Sequence, residues 1–278
     1  MPEAAPGRTA FVLGGGGLLG AVEVGMLRAL FEHGVRPDLV LGTSVGALNG
    51  LVVASDPGPA AVERLLELWR SVGETNEVYA DRPWRQVRRA VRTGTHLHSS
   101  RPLRERLEQE FGDRTFADLA VPFQCCAASI ERSAEHWFAE GPVVPAVVAS
   151  AAVPGLLPPA RVGGEHYLDG GIVNSVPVGR AVALGAERVF VLQVGRLDRP
   201  LVPPRRPWEV ARVSFEIARR HRFVREMSEL PASVQAHVLP AGGSARDDSP
   251  RAYRDASLVA ARIEAAYEQG LAYLAQHL

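Results

Sequence analysis

A serine framed by glycines, Gly42-Thr43-Ser44-Val45-Gly46, follows the short run Asp38-Leu39-Val40-Leu41 and precedes a helix-like stretch from Ala47 to Ala54. A strand-to-helix reversal of this kind needs a strained backbone and close approach of strand to helix. Glycines permit both, and the turn lifts the Ser44 hydroxyl above the sheet edge beside a helix N-terminus. Upstream, Thr9-Ala10-Phe11-Val12-Leu13 reads as a buried strand. A glycine run follows, then a helix from Ala21 to His33 with apolar positions at Val22, Met26, Leu27 and Leu30, ended by Gly34. Strand, helix, strand, helix in that order predicts a parallel sheet with right-handed crossovers. The loops after both strands then share the carboxyl edge of the sheet, where open α/β folds place their sites.

Beyond this start, Asp56-Pro57-Gly58-Pro59 breaks the chain before a helix from about Ala60 to Val72. Arg82 to Arg92 and Pro102 to Phe111 read as helices, Phe123 to Ser129 as a strand with a hairpin-like return at His136 to Ala139, and Pro145 to Ala152 as a helix. A loop from Pro154 to Pro159 leads to the short strand Tyr167-Leu168-Asp169, which runs into the turn Gly170-Gly171. Arg188 to Val194 is a β-branched strand. The Pro/Arg-rich stretch Arg199 to Pro207 links to a helix from Trp208 to Leu230, a strand from Val234 to Leu239 and a closing helix from Tyr253 to Gln276. One domain over residues 8–278 is expected, with residues 196–278 as an appended layer and residues 1–7 disordered.

With 278 residues, 46% hydrophobic and 22% charged, the chain buries a substantial core. Its formal net charge is zero, so no whole-molecule field draws it to nucleic acid. Cys125 and Cys126 are adjacent in an apolar run, and a vicinal disulfide is strained and rare, so both read as buried strand residues in a reducing cytoplasm. No basic-then-apolar leader and no run of about 18 apolar residues is present, so neither a secretory signal nor a membrane span is expected. Nothing specifies an oligomer, a cofactor or a metal.

A serine hydroxyl is a poor nucleophile until a base takes its proton, and the oxyanion it forms needs donors. Gly14-Gly15-Gly16-Gly17-Leu18-Leu19-Gly20 offers backbone N–H groups at the end of the first strand, beside the elbow. The same loop also spells the dinucleotide fingerprint Gly15-x-Gly17-x-x-Gly20, but that reading wants an acid at the end of the second strand, which ends instead in Gly42-Thr43-Ser44. A third reading, glycines for a tight strand–helix junction, is compatible with the oxyanion role. For the base, the eight histidines are poorly placed. His33, His96, His98, His136, His221 and His277 fall at a helix end, in a loop, in a hairpin and in charged helices, and His166 and His237 flank strands. Asp169 sits at a strand end before two glycines, where its carboxylate can reach across the sheet edge. Taken alone, Asp-Gly-Gly is an ordinary turn.

Three motifs in order, Gly15-Gly16-Gly17-Leu18-Leu19-Gly20, Gly42-Thr43-Ser44-Val45-Gly46 and Asp169-Gly170-Gly171, resemble the patatin-like phospholipase family, which uses a serine–aspartate dyad without histidine. Ser150 to Pro159, Asn174, Pro177 and the Ile263 to Gly270 pattern extend the resemblance over most of the chain. It implies a three-layer α/β/α sandwich with a mainly parallel central sheet. It further implies Ser44 as nucleophile, Asp169 as proton acceptor, and the amides of Gly15, Gly16 and Gly17 as the oxyanion hole, supported by Gly20, Gly42, Gly46, Gly170 and Gly171. The reaction expected is acyl transfer from a lipid or other carboxylic ester to Ser44 and then to water. An acyltransferase on a similar elbow is the enzymatic rival. A standard α/β-hydrolase and a non-catalytic lipid-binding module fit less well, the first because Ser44 comes after only two strands and no histidine in a convincing loop follows Asp169, the second because both dyad residues are intact.

One position departs from the family pattern: Leu19 stands where an Arg or Lys is common, which makes phospholipid versus neutral ester an open choice. Arg82 to Arg92 sets Trp84, Val87 and Val91 against Arg85, Arg88, Arg89 and Arg92. It reads either as a surface helix packed by its apolar stripe or as a segment making transient, peripheral contact with an anionic membrane. Arg219-Arg220-His221-Arg222, with Arg225, is balanced by Glu216, Glu226 and Glu229 and reads as a solvated face.

Overall fold

Strands whose side chains are apolar on both faces belong in the middle of a sheet covered twice. In β1 (Thr9–Leu13), Phe11 and Leu13 enter one core while Ala10 and Val12 enter another. The computed structural model describes residues 7–75, 95–194, 200–242 and 258–278. The basic segment Arg82 to Arg92, residues 1–6 and the expected start of the last helix at Tyr253 lie outside them. After β1 come α1 (Ala21–Glu32), β2 (Leu39–Thr43), α2 (Val45–Ser55), α3 (Pro59–Thr75) and α4 (Arg101–Phe111). Next are β3 (Phe123–Ser129), β4 (Ala134–Phe138), α5 (Val143–Ser150), β5 (Ala160–Val162), β6 (Glu165–Asp169) and α6 (Val178–Ala183). The chain continues through β7 (Arg188–Leu192), α7 (Pro207–Ser228), β8 (Gln235–Leu239) and α8 (Val259–His277).

The strands form one sheet in the order β5-β6-β3-β2-β1-β7-β8, with β4 also paired to β3. From β3 to β8 all neighbours are parallel, while β4, β5 and β6 run antiparallel to their partners. Residues of α1, α2, α3, α4, α5 and α8 share the larger core with Phe11, Val40, Phe123, Phe190 and Leu192. On the other face, Val178 and Ala181 of α6 and Phe223 of α7 pack against Leu39, Leu41, Val189 and Val191. The expected three layers and mainly parallel sheet are present.

Several expected bounds shift. The helix after the elbow begins at Val45 rather than Ala47, because the Ser44 carbonyl already accepts from Ala47 N and Leu48 N at 2.9 and 3.2 Å. The hairpin return is Ala134–Phe138, and the helix placed at Pro145 to Ala152 runs Val143–Ser150. Strand β5 was not anticipated; it joins β6 through Gly163 and Gly164, whose φ of 57° and 90° suit a two-residue hairpin turn with both central residues left-handed.

The C-terminal elements are sewn into this frame. β8 adds in parallel beside β7, and α8 packs on α1. Phe190 joins the strands laterally, its ring edge-on to Phe11 at 5.8 Å and stacked on His237 at 4.9 Å. Phe190→Ala removes a fully buried ring from this row, so denaturant unfolding is expected to show a loss of about 3–5 kcal/mol with an unchanged denaturant slope.

Candidate active site

Ser44 joins β2 to α2 with φ 57° and ψ −123°, and among the described residues Ser133 is the other non-glycine at positive φ. Such strain persists where the surroundings over-determine it. Here a Cβ on Gly42 would lie 2.3 Å from Gly46 O, and a Cβ on Gly46 would lie 2.3 Å from Leu13 O, so the two glycines let the turn close against itself and against β1. The Ser44 amide donates to Ser150 Oγ at 3.0 Å, and Ser150 Oγ donates in turn to Cys126 O at 2.6 Å. The sequence marks Ser150 only as part of the Ser150 to Pro159 stretch of the family resemblance, and nothing in it discloses this tether from α5 to the elbow.

Strand β3 brings the aspartate to the serine. Thr43 is paired with Cys126, and Asp169 with Ala127, the next residue of the same strand. Because β4 lines β3 from Cys125 to Ser129 on its other edge, β2 and β6 share one edge and meet end to end. Ser44 Oγ thereby donates to Asp169 Oδ2 at 2.5 Å, and Gly171 N–H donates to Asp169 Oδ1 at 2.7 Å. The two residues are 6% and 3% exposed. Burial pushes the Asp169 carboxyl up to about 6, against the opposing pull of the Ser44 hydroxyl and the Gly171 amide.

Of the sequence candidates for the oxyanion, Gly15 is engaged elsewhere. Its N–H donates to Ser175 O at 2.9 Å, while Gly14 N–H donates to Leu192 O at 3.0 Å. Gly16 and Gly17 begin a short 3-10 turn through Gly20. Behind it, Asn49 Nδ2 donates to Gly20 O at 3.0 Å and to Glu23 Oε2 at 2.7 Å, and Trp69 Nε1 donates to Asn49 Oδ1 at 3.1 Å. Burial raises the Glu23 carboxyl well above the usual range. Leu19 packs against the larger core.

The basic run of α7 is only in part the solvated face expected of it: His221 and Arg225 are exposed, while Arg219 and Arg222 turn inward. Arg219 is 8% exposed, with Nη2 on Glu216 at 2.9 Å and Nη1 3.5 Å from Gly15 O. Arg222 donates to Val173 O at 2.7 Å and pairs with Glu135 and Glu226, and the Phe215 ring lies against Gly171. The i, i+3 and i, i+4 pairs seen in sequence exist, yet the Arg219 and Arg222 guanidiniums also reach the Gly15 and Val173 carbonyls, which periodicity alone does not disclose.

Neither histidine that flanks a strand is hydrogen-bonded to Ser44 or Asp169. His166 faces Glu131 at 2.7 Å with about half its side chain exposed, and His237 stacks on Phe190. Cys125 and Cys126 are buried free thiols in β3. Among the described residues no group of three or more His, Cys, Asp or Glu is arranged to hold a metal, and no helix is long and apolar enough to cross a membrane.

Because the folded state raises the Asp169 pKa from an unfolded value near 4, this carboxyl favours folding below about pH 4. That contribution is lost as pH rises through about 6. The stability of Asp169→Asn relative to the wild type is therefore expected to improve by about 2.5 kcal/mol between pH 4 and pH 7.5 in parallel denaturant titrations.

The patatin-like phospholipase family model matches residues 11–182, which carry the end of β1, the elbow and Asp169. Lysophospholipase nte1 of Emericella nidulans is 32% identical over 187 residues, which are 67% of this chain and 12% of that protein. Patatin-like phospholipase domain-containing protein 7 of Mus musculus is 32% identical over 191 residues, 68% of this chain and 14% of that protein. The chain thus spans a small part of the length of these curated relatives. Among solved structures, VipD from Legionella pneumophila superposes with a TM-score of 0.50 at 14% identity, covering 98% of this chain and 68% of that one, a likeness of fold. The chain belongs to the patatin-like phospholipase family.

Proposed function

We propose that this chain is a lipid acyl hydrolase in which Ser44 is the nucleophile and Asp169 its base. The observation that carries the reading is the 2.5 Å hydrogen bond from Ser44 Oγ to Asp169 Oδ2 at a strained elbow. Ser44 Oγ attacks the ester carbonyl while its proton passes to Asp169. The ester C–O bond then breaks, the departing alkoxide takes that proton, and an acyl-serine remains. Water adds to the acyl-serine, giving its proton to Asp169, and collapse returns a proton to Ser44 Oγ as the fatty acid leaves. A carboxyl raised to about 6 is a stronger base than a free aspartate yet is still mostly ionised at neutral pH, which suits this work. With the Gly15 amide committed to Ser175, backbone stabilisation of the oxyanion falls to Gly17 and the N-terminus of α2.

The curated relatives are named lysophospholipases and patatin-like phospholipases, so a single-chain phospholipid is the first substrate to offer, with a neutral monoacylglycerol beside it because Leu19 is apolar. Delivery of such a substrate from a lipid surface fits the basic segment Arg82 to Arg92 as a transient peripheral contact.

Hydrolysis of lysophosphatidylcholine, monoacylglycerol and p-nitrophenyl esters, together with fluorophosphonate labelling, tests the assignment. Ser44→Ala and Asp169→Asn are expected to lower kcat by about 10³-fold or more, with His166→Ala within about twofold of wild type. Loss of turnover in His166→Ala with retention in Asp169→Asn would move the base to the histidine. The kcat/KM of the wild type is expected to rise with pH through about 6 and then level, since the base must be ionised; a profile flat from pH 5 to 8 contradicts Asp169 as base.

A further inference from the structure

Ser175 has a hydroxyl that the hydrolase reading leaves unused. The residue is 4% exposed, and its Oγ is buried with no hydrogen-bond partner among the described residues. Buried hydroxyls are nearly always paired, and an orphan in a native site calls for an explanation such as strain, a ligand or a catalytic duty.

Three backbone interactions fix where that hydroxyl stands. The Ser175 carbonyl accepts the Gly15 N–H at 2.9 Å, the preceding carbonyl of Asn174 accepts Thr43 Oγ1 at 2.8 Å, and Asn174 N–H donates to Gly170 O at 2.7 Å. The residue is therefore pinned to the glycine loop, to the elbow strand and to the turn that carries Asp169. Gly15 supplies a ruler for the side chain. A Cβ built on it would lie 3.2 Å from Ser175 Oγ and 3.3 Å from Ser44 Cβ. The orphan hydroxyl and Ser44 Cβ thus both border the space that a side chain on residue 15 would fill, and glycine leaves that space open.

We propose that Ser175 is a catalytic residue whose Oγ–H donates a hydrogen bond to the carbonyl oxygen of the acyl ester as that oxygen becomes negative. The donation moves no proton and leaves every bond in the two acyl-transfer steps as described. It supplies a donor on the glycine-loop side of Ser44, where the Gly15 amide has been taken by the carbonyl of this same serine. A partner-free hydroxyl held by its own backbone is suited to the task, because it needs no reorganisation when charge develops. One loop then serves both halves of the chemistry, with Asp169 taking the proton and Ser175, six residues on, holding the oxyanion. The inference rests on Ser44 as nucleophile.

The test uses Ser175→Ala and the near-isosteric Ser175→Cys, whose thiol is a weak donor. Both are expected to lower kcat on p-nitrophenyl and lysophospholipid esters by about 10–100-fold and to slow fluorophosphonate labelling of Ser44, with KM within about threefold. Ser175→Ala should keep or raise the wild-type Tm, because it deletes an unpaired buried polar group. A structural role for Ser175 predicts the opposite pairing, a lowered Tm along with lowered activity, and that result overturns the proposal. So does a kcat within about threefold of wild type in Ser175→Ala. If the wild type shows no turnover that Ser44→Ala removes, the hydrolase reading falls and this inference with it; with that turnover present, the Ser175 variants judge the inference alone.

Discussion

The hydrogen bond from Ser44 Oγ to Asp169 Oδ2 joins residues 125 positions apart, and the surrounding architecture is what allows it to form. Here β3 offers a single edge to two strands of opposite direction, β2 as far as Cys126 and β6 from Ala127 onward. The parallel half of the fold delivers the serine and the antiparallel half delivers the aspartate. The strained backbone at Ser44 is tolerated because Gly42, Gly46 and the Ser150 hydroxyl close around it.

That geometry has an electrostatic cost. Asp169 is buried with a hydroxyl and one backbone amide as partners, and burial is the largest influence on its titration. A cation at the carboxylate would stabilise its charge and weaken it as a base. The arginines of α7 serve elsewhere: Arg219 pairs with Glu216 near Gly15 O, and Arg222 pairs with Glu135 and Glu226 while holding Val173 O. Helix α7 thus braces the backbone around the site, and the carboxyl is left raised, in the range where an aspartate can accept a proton near neutral pH.

Much of this was legible in the sequence because it is written in local chemistry. The glycines of the elbow, the strand-helix-strand-helix start and the Asp169-Gly170-Gly171 turn are contiguous signals, and each marks an element found within a few residues of its expected bounds. What escaped was non-local. No periodicity reveals that β3 splits its edge between β2 and β6, that Ser175 O captures the Gly15 amide, or that Ser150 Oγ tethers the Ser44 amide. The short strand β5 could have been read from Gly163-Gly164 between Val162 and Glu165, a two-glycine hairpin signal. The burial of Arg219 could not, since Glu216 and Arg219 at i, i+3 look the same on a solvated helix.

The proposed dyad predicts a covalent intermediate on one residue, and trapping it is the most direct measurement. Wild-type protein mixed with a slowly deacylating long-chain ester, quenched in acid within milliseconds to seconds and digested for mass spectrometry, should carry the acyl mass on Ser44. The adduct should be absent from Ser44→Ala and form far more slowly in Asp169→Asn. An acyl group mapped to any other residue, or hydrolysis proceeding at full rate in Ser44→Ala, contradicts a serine–aspartate dyad.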